Sequence, residues 1–120
     1  MKIKIKTQEK TYFLKLMLIL NNIPPFNKLR RQELELYAHL LRVNHKYRNV
    51  PFKERNTLIF NYDTKVEISS EMGIKLWGVY DILSRLRKSK LIESRSLIPK
   101  YILSKTKELL FVFEDEQDEN

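Results

Sequence analysis

The chain of 120 residues carries 23 Lys and Arg against 15 Asp and Glu, for a formal net charge of +8 at pH 7, and 42% of its residues are hydrophobic. It is long enough to bury one core, and its two glycines and four prolines are too few for the frequent turns of a β-sandwich. The absence of cysteine excludes disulfides, thiolate metal ligands and cysteine nucleophiles, and suits a cytoplasmic protein. No apolar run is long enough to predict a membrane span.

Acidic and basic residues are unevenly distributed along the chain. The last thirteen residues hold six of the 15 acids and no base, so the other 107 residues carry nine acids and all 23 bases, a net charge of +14. A body this basic attracts polyanions, nucleic acid before anionic membrane. We expect residues 114–120 to form a disordered acidic tail, which either aids solubility or competes with phosphate for the basic surface.

The first predicted elements, over 1–23, are a basic strand or arm and an apolar helix. The opening MKIKIK alternates apolar and basic residues, which suits a short strand or a frayed arm. Residues 8–20 predict a helix that is apolar almost all round, and the prolines of NNIPP end it. Such a helix is either deeply buried or covered by a partner chain, so it is the candidate homodimer contact.

A second helix is predicted over Lys28–Tyr47, with a broad apolar face and Asn27 as its N-terminal cap. The connector that follows includes a short predicted strand at Thr57–Phe60. Thr64 and Glu67 then have the spacing of a capping box, in which the two side chains accept backbone N–H groups at the start of the next helix.

Two short amphipathic helices, predicted over 64–72 and 76–89, meet at Gly73. A sharp turn between helices needs a residue in the left-handed conformation, which glycine adopts at the least cost. The apolar residues on both sides recur at helical spacing and predict one shared inner face: Ile68, Met72, Ile74, Val79, Ile82, Leu83 and Leu86. This pattern is typical of a helix-turn-helix motif.

Beyond these helices, LIES (91–94) and SLIPKYI (96–102) predict two short strands around a tight turn at Ser94–Ser96. The segment KELLFVF, at 107–113, suits either a strand or a helix.

The stretch LSRLRKSKLIES, at 83–94, resembles the end of the recognition helix and the first wing strand of MarR-like winged-helix proteins. That family often carries an L-x-x-L-x-x-x-G-L-I run, in which Lys90 here replaces the glycine, and its wing is usually longer than the three residues SRS of this chain. LRRQELELYAHLL, at 29–41, is similar to the family's preceding helix, and the Lys-, Asn- and Ile-rich composition is similar to that of small phage winged-helix proteins.

The resemblance implies a mainly α fold with a small β-hairpin wing. It places a winged helix-turn-helix domain over 24–105, followed by a C-terminal segment over 106–120. It also implies that helix 76–89 enters the major groove of double-stranded DNA, as in many transcriptional regulators. Because such proteins commonly bind as symmetric dimers, we expect a homodimer.

We expect the DNA contacts to come from the outer face of this helix and from its flanks. Candidates for base edges lie in its N-terminal half: Lys75, Trp77, Gly78 and Asp81. Candidates for either bases or phosphates are Tyr80 and Ser84. Candidates for phosphates are Arg85, Arg87, Lys88 and Lys90, with Lys65 near the DNA backbone and Arg95 in the short wing.

Three of these residues have a second interpretation. Trp77 suits a core or an interface as well as DNA. Gly78 in mid-helix costs about 1 kcal/mol against Ala, which either close approach to DNA or crowding against another helix would explain. Asp81 repels phosphate, so we expect it to pair with Arg85 rather than to accept a hydrogen bond from a cytosine amino group.

The main alternative function is a protein-interaction module, for example in phage assembly or DNA packaging, because winged helices also dock proteins. DNA binding predicts that the bases within 75–90 form one positive face with Lys65 and Arg95. Docking predicts an exposed apolar patch on Trp77 and Tyr80 instead. Stacking of single strands on these aromatic rings is less favoured, because the rings lie on a helix.

No motif indicates an enzyme, a cofactor or a metal site. The chain has no glycine-rich phosphate loop, and its serines have no histidine and aspartate partners by motif. His39 and His45 are six residues apart on a predicted helix and do not share a face well, and Glu33 and Glu35 lie on different faces.

Overall fold

A computed structural model describes residues 2–5, 9–102 and 109–112, with side chains for residues 12–102. In this part of the chain, five α-helices make up most of the fold: α1 (Glu9–Leu20), α2 (Arg31–Lys46), α3 (Phe52–Ile59), α4 (Tyr62–Met72) and α5 (Leu76–Lys88). Short 3₁₀ turns lie at Phe26–Lys28 and Pro99–Tyr101. The predicted acidic tail lies outside the described residues.

Two small antiparallel sheets accompany the helices. β1 (Lys2–Ile5) pairs with β4 (Leu109–Val112), so both terminal segments that were open to interpretation form strands. β2 (Ile92–Glu93) pairs with β3 (Ser96–Leu97) around the predicted tight turn. The prediction of a mainly helical fold with a small β-hairpin is therefore confirmed.

One apolar core joins α1 to α2, α5 and the β2–β3 hairpin. The side chains that α1 buries in it are Tyr12, Phe13, Leu16, Met17 and Leu20. This burial explains the apolar residues on one face of α1, and Leu14 and Ile19 on the other sides are partly exposed. Leu18 is the large apolar side chain of α1 that is exposed, at 38%, and the homodimer through this helix stays a prediction.

The start of α2 differs from its prediction. The helix begins at Arg31, and Asn27 lies in the 3₁₀ turn before it instead of capping it. Phe26 and Leu29 are both buried, so packing on the core holds this turn separate from the helix. Glu33 caps the start of α2 instead, because its Oε1 accepts the backbone N–H of Arg30 at 3.0 Å.

The strand predicted at Thr57–Phe60 is wrong, because this segment lies in α3 and the residue after it. Asn56, Ile59 and Phe60 are all buried, at a spacing that suits a helix better than a strand. The Asn56 side chain hydrogen-bonds to β3, where its Oδ1 accepts the N–H of Leu97 at 2.9 Å. A side-chain amide thus supplies the hydrogen bond to the hairpin that a third strand would have supplied from its backbone.

The capping box predicted at Thr64 and Glu67 is also wrong. Asn61 caps α4, since its Oδ1 accepts the N–H of Thr64 at 2.8 Å. The Thr64 hydroxyl is engaged elsewhere, because it donates to the carbonyl of Leu58 at 2.7 Å. The turn after α4 is as predicted, with Gly73 in the left-handed conformation at φ 68°.

Candidate nucleic-acid interface

The inner face of α5 is the one that the sequence predicts. Val79, Ile82, Leu83 and Leu86 are all buried against the core. The side chains directly opposite recur at helical spacing and form the outward stripe of α5, defined as Trp77, Asp81, Ser84 and Lys88. Trp77, at the N-terminal end of the stripe, is 70% exposed, so the interpretation of Trp77 as a core residue is wrong.

A groove with three cationic side chains lies along one flank of α5. It is a cavity of about 520 Å³ between α4, α5 and the turn of the β2–β3 hairpin, and it is called the cationic groove below. Its lining consists of Phe60, Tyr62, Lys65, Tyr80, Arg87, Ser94 and Arg95. The structure thus brings together three predicted phosphate ligands, from α4, α5 and the hairpin.

Two contacts fix the walls of the cationic groove. Arg87 Nε donates a hydrogen bond to the carbonyl of Ser94 at 3.0 Å, which ties α5 to the hairpin turn. Lys65 Nζ lies 4.8 Å from the centre of the Tyr80 ring, a cation–π contact between α4 and α5. The cations are therefore held on rigid elements rather than on a long loop.

The charges of the cationic groove are not neutralised within the chain that the structure describes. None of Lys65, Arg87 and Arg95 forms an ion pair with a described carboxylate. Burial lowers the pKa of Lys65, and the nearby charges of Arg95 and Arg87 lower it further. The cations that lower the pKa of Lys65 in this way mark a place where an anion would be stabilised.

The cation on the opposite flank of α5 is paired with carboxylates. Arg85 Nη2 lies 2.9 Å from Asp81 Oδ2, so the predicted pair between these residues is confirmed. Arg85 Nη1 also lies 3.3 Å from Oε2 of the buried Glu33, which joins α5 to α2. Both partners draw Arg85 toward the fold, and its phosphate contact stays a prediction. The Asp81 carboxylate, a member of the outward stripe, shares this guanidinium with Glu33, so its charge is compensated in part.

Gly78 does not relieve crowding in this fold. A Cβ atom placed on Gly78 would meet only the side chain of Ile74, at 3.5 Å or more, which is an ordinary van der Waals distance. The crowding interpretation of Gly78 is therefore wrong for the residues that the structure describes. Lys75 and Lys88, at the two ends of α5, are both exposed to solvent.

Lys90 occupies a backbone conformation that favours glycine. Its φ is 63°, in the left-handed region that costs an ordinary residue about 1–2 kcal/mol. The conformation ends α5, because the N–H of Leu91 then reaches back to the carbonyl of Leu86 at 3.1 Å. Lys90 thus stands where the MarR-like run has glycine, at a position whose left-handed backbone glycine would adopt at lower cost.

Sequence reasoning missed Tyr62 and two residues of α3. Tyr62 is 62% exposed and lines the cationic groove, but the predicted start of α4 at Thr64 left it in a connector. Phe52 and Lys53 line a second cavity, of about 450 Å³, on the far side of Arg95. The signal for Tyr62 was Asn61, a residue type as suitable for a cap as Thr64.

A separate ion-pair cluster joins α2 to α4 on the side away from the cationic groove. Arg42 pairs with Glu71 and lies 3.6 Å from Glu67, and His39 Nδ1 lies 3.5 Å from Glu71. Burial lowers the pKa of His39, and the Arg42 charge lowers it further. Nothing in this cluster contacts α5, so it belongs to the packing of α4.

Among the helices that the structure describes, none is both long enough and apolar enough to cross a bilayer. Comparisons with protein-family models, with curated proteins and with solved structures found no match to this chain.

Proposed function

We propose that the protein is a winged helix-turn-helix protein of MarR-like type that binds double-stranded DNA and regulates transcription in the cytoplasm. In this proposal α4 and α5 are the helix-turn-helix, α5 is the recognition helix, and the β2–β3 hairpin is the wing. The observation that carries it is the cationic groove, where Lys65, Arg87 and Arg95 converge without carboxylate partners among the described residues.

The arrangement suits the dimensions and charge of a duplex. The major groove admits one α-helix, and phosphates line both of its edges. With the outward stripe of α5 against base edges, the cationic groove would face the sugar–phosphate backbone along one of these edges. Each phosphate neutralised by a cation releases condensed counterions, which is the main source of affinity in such complexes.

The remaining candidate residues fall into two groups. Lys75, Trp77, Gly78 and Asp81 would meet base edges, and the Arg85 pair offsets part of the repulsion that Asp81 would otherwise exert on phosphates. Ser84 belongs to the outward stripe and Tyr80 borders it, and Lys88 and Lys90 would lie at its C-terminal end beside the DNA backbone. A homodimer through α1, where Leu18 is exposed, would bind two half-sites.

Docking of a protein partner is the second candidate. Six large apolar side chains are exposed among the described residues, and four of them lie on α4 and α5: Tyr62, Val66, Trp77 and Tyr80. A docking surface is favoured by this apolar content, since interface centres are depleted of charge and enriched in aromatic residues. It is disfavoured by the cationic groove, which would place three unpaired charges within the same surface.

Duplex binding across a salt series tests the proposal. The triple variant Lys65→Ala/Arg87→Ala/Arg95→Ala should bind roughly two to three orders of magnitude more weakly at about 0.1 M salt, and its plot of log K against log salt should flatten by about 0.9 for each phosphate that is no longer neutralised. The matched control removes three exposed cations outside both the DNA interface and α1: Lys28→Ala/Lys46→Ala/Lys100→Ala.

The control loses the same net charge and should keep the slope of the parent chain. An equal loss of duplex affinity in the two variants would mean that binding depends only on net charge, and the cationic groove would then have no specific role. A folded parent chain that binds no duplex at about 50 mM salt would exclude DNA binding and favour the protein partner.

A further inference from the structure

The N-terminal end of α5 carries a large apolar side chain that no described residue covers. Trp77 is 70% exposed and is the one apolar member of the outward stripe, whose other members are Asp81, Ser84 and Lys88. Covering the exposed indole with a partner would bury a large apolar area, which contributes about 2–3 kcal/mol for a side chain of this kind. Its position at the second residue of α5 makes it the outermost ring of the helix.

The neighbour of Trp77 leaves room around the indole. Gly78 has no side chain, and the structure gives no packing reason for its absence. Because Gly78 has no side chain and the Trp77 ring projects from the helix, a partner can approach the helix backbone at Gly78 while it contacts the indole at Trp77. Glycine is commonly found where a backbone must come close to a ligand.

The charges around Trp77 favour DNA as the occupant of this surface. Lys75 precedes it and is exposed, Lys88 ends the same stripe, and the cationic groove follows one flank. The one acid on the stripe, Asp81, is already paired with Arg85. Exposed cations therefore lie at both ends of the outward stripe and along one flank, which favours a polyanion, whereas an apolar protein surface would have to bury these cations.

The major groove offers such a ring very little apolar surface. Adenine, guanine and cytosine present only hydrogen-bonding groups there, whereas thymine also presents its C5-methyl group. An apolar side chain in the groove therefore gains most from contact with thymine. We propose, resting on the DNA-binding function proposed above, that Trp77 reads a thymine methyl group and makes the protein prefer sites with thymine opposite the start of α5.

Deoxyuridine substitution tests this inference, because it removes the methyl group and leaves the base pair intact. A preferred duplex is first selected from random sequences with the full chain, and each thymine is then replaced in turn by deoxyuridine. At one position the affinity of the parent chain should fall about fourfold, the ratio that corresponds to burial of one methyl group.

Two variants assign that effect to Trp77. Trp77→Ala should bind the thymine and deoxyuridine duplexes equally, whereas Trp77→Phe should keep part of the preference, since phenylalanine also contacts thymine methyl groups. Both substitutions are at an exposed side chain, so circular dichroism should show an unchanged fold.

The outcomes separate this inference from the function on which it rests. Tight duplex binding with no sensitivity to deoxyuridine at any position would overturn the thymine contact and leave DNA binding intact. The same sensitivity in the parent chain and in Trp77→Ala would assign the methyl effect to another residue and would also overturn it. Absence of duplex binding would overturn both, and Trp77 would then be the centre of a protein-docking surface.

Discussion

The two ends of α5 depart in opposite ways from the residues that folding alone would favour. Near the N-terminal end, Gly78 lacks a side chain although a methyl group there would touch only Ile74 at an ordinary distance. Just beyond the C-terminal end, Lys90 carries a long side chain at φ 63°, a conformation that glycine adopts at lower cost. Placing alanine at the first position and glycine at the second would stabilise the fold at both.

Residues that folding alone does not favour indicate where the sequence is adapted to binding rather than to stability. Each departure costs on the order of 1 kcal/mol, and no side-chain contact of Lys90 among the described residues offsets its strain. A DNA duplex would account for both, because it needs the helix backbone close to base edges at one end and a positive charge beside a phosphate at the other. Strained or locally unfavourable residues are often found at functional sites for this reason.

Arg85 lies between the two ends of α5 and differs from Gly78 and Lys90, because it stabilises the fold through its ion pair with Glu33. Arg85→Ala should lower the free energy of unfolding by about 2–3 kcal/mol, the largest effect expected among these variants. The reason is that the Glu33 side chain, 7% exposed, would lose its cation. Urea unfolding measures the loss. Arg87→Ala is the matched control and should cost under about 1 kcal/mol, since Arg87 makes a single hydrogen bond to Ser94.

DNA binding should rank these two arginines the other way round. Arg87→Ala should flatten the salt dependence by about 0.9. The double variant Asp81→Ala/Arg85→Ala, which leaves no unpaired Asp81 beside the DNA, should leave the salt dependence unchanged at a temperature where the variant is folded. An Arg85→Ala protein as stable as the parent chain, together with a flatter salt dependence in the double variant, would show that the cation binds phosphate instead and would remove the contrast with the ends of α5.

Local spacing in the sequence was sufficient for the elements that one periodic pattern governs. The faces of α5 and the turn at Gly73 follow from apolar residues three and four apart, and the i,i+4 pair of Asp81 and Arg85 is equally local. These features depend on neighbours within one or two helical turns, so the linear sequence contains the information that fixes them.

Contacts between distant segments decide the features that the sequence did not predict. The burial of the Asn56 amide is explained by its hydrogen bond to Leu97, 41 residues away, which has no signal in the local sequence. The cap of α4 depends on a shorter-range contact, because Thr64 and Asn61 are both good caps and the Leu58 carbonyl, six residues before Thr64, engages the Thr64 hydroxyl. Glu33 meets Arg85 across 52 residues, so its part in the candidate site had no local signal.

The next largest effect is expected at Lys90. Lys90→Gly should raise the free energy of unfolding by about 1–2 kcal/mol, because glycine relieves the left-handed strain, and should weaken duplex binding roughly tenfold at about 0.1 M salt if the ammonium group binds one phosphate. Urea unfolding and duplex titration measure the two changes.

Lys90→Asn separates strain from charge, since asparagine tolerates the left-handed region but carries no charge. It should weaken DNA binding as much as Lys90→Gly while stabilising the fold less. Unchanged DNA affinity in both variants would mean that Lys90 has no part in the interface, and its strain would then be without a functional reason.

The smallest effect on stability is expected at Gly78. Gly78→Ala should raise the free energy of unfolding by up to about 1 kcal/mol, because alanine has the higher helix propensity and its methyl group fits beside Ile74. The same methyl group would hold α5 away from base edges, so duplex affinity should fall by roughly an order of magnitude, comparable with the removal of one hydrogen bond to a base.

Ser70→Ala, on the exposed face of α4, controls for propensity alone, since it should stabilise the fold without a change in DNA binding. If Gly78→Ala behaves like this control, Gly78 is no more than a weak point of the helix, and only the Lys90 end of α5 bears on function. If it is more stable and binds DNA less well, both ends of α5 carry residues that binding requires and folding does not.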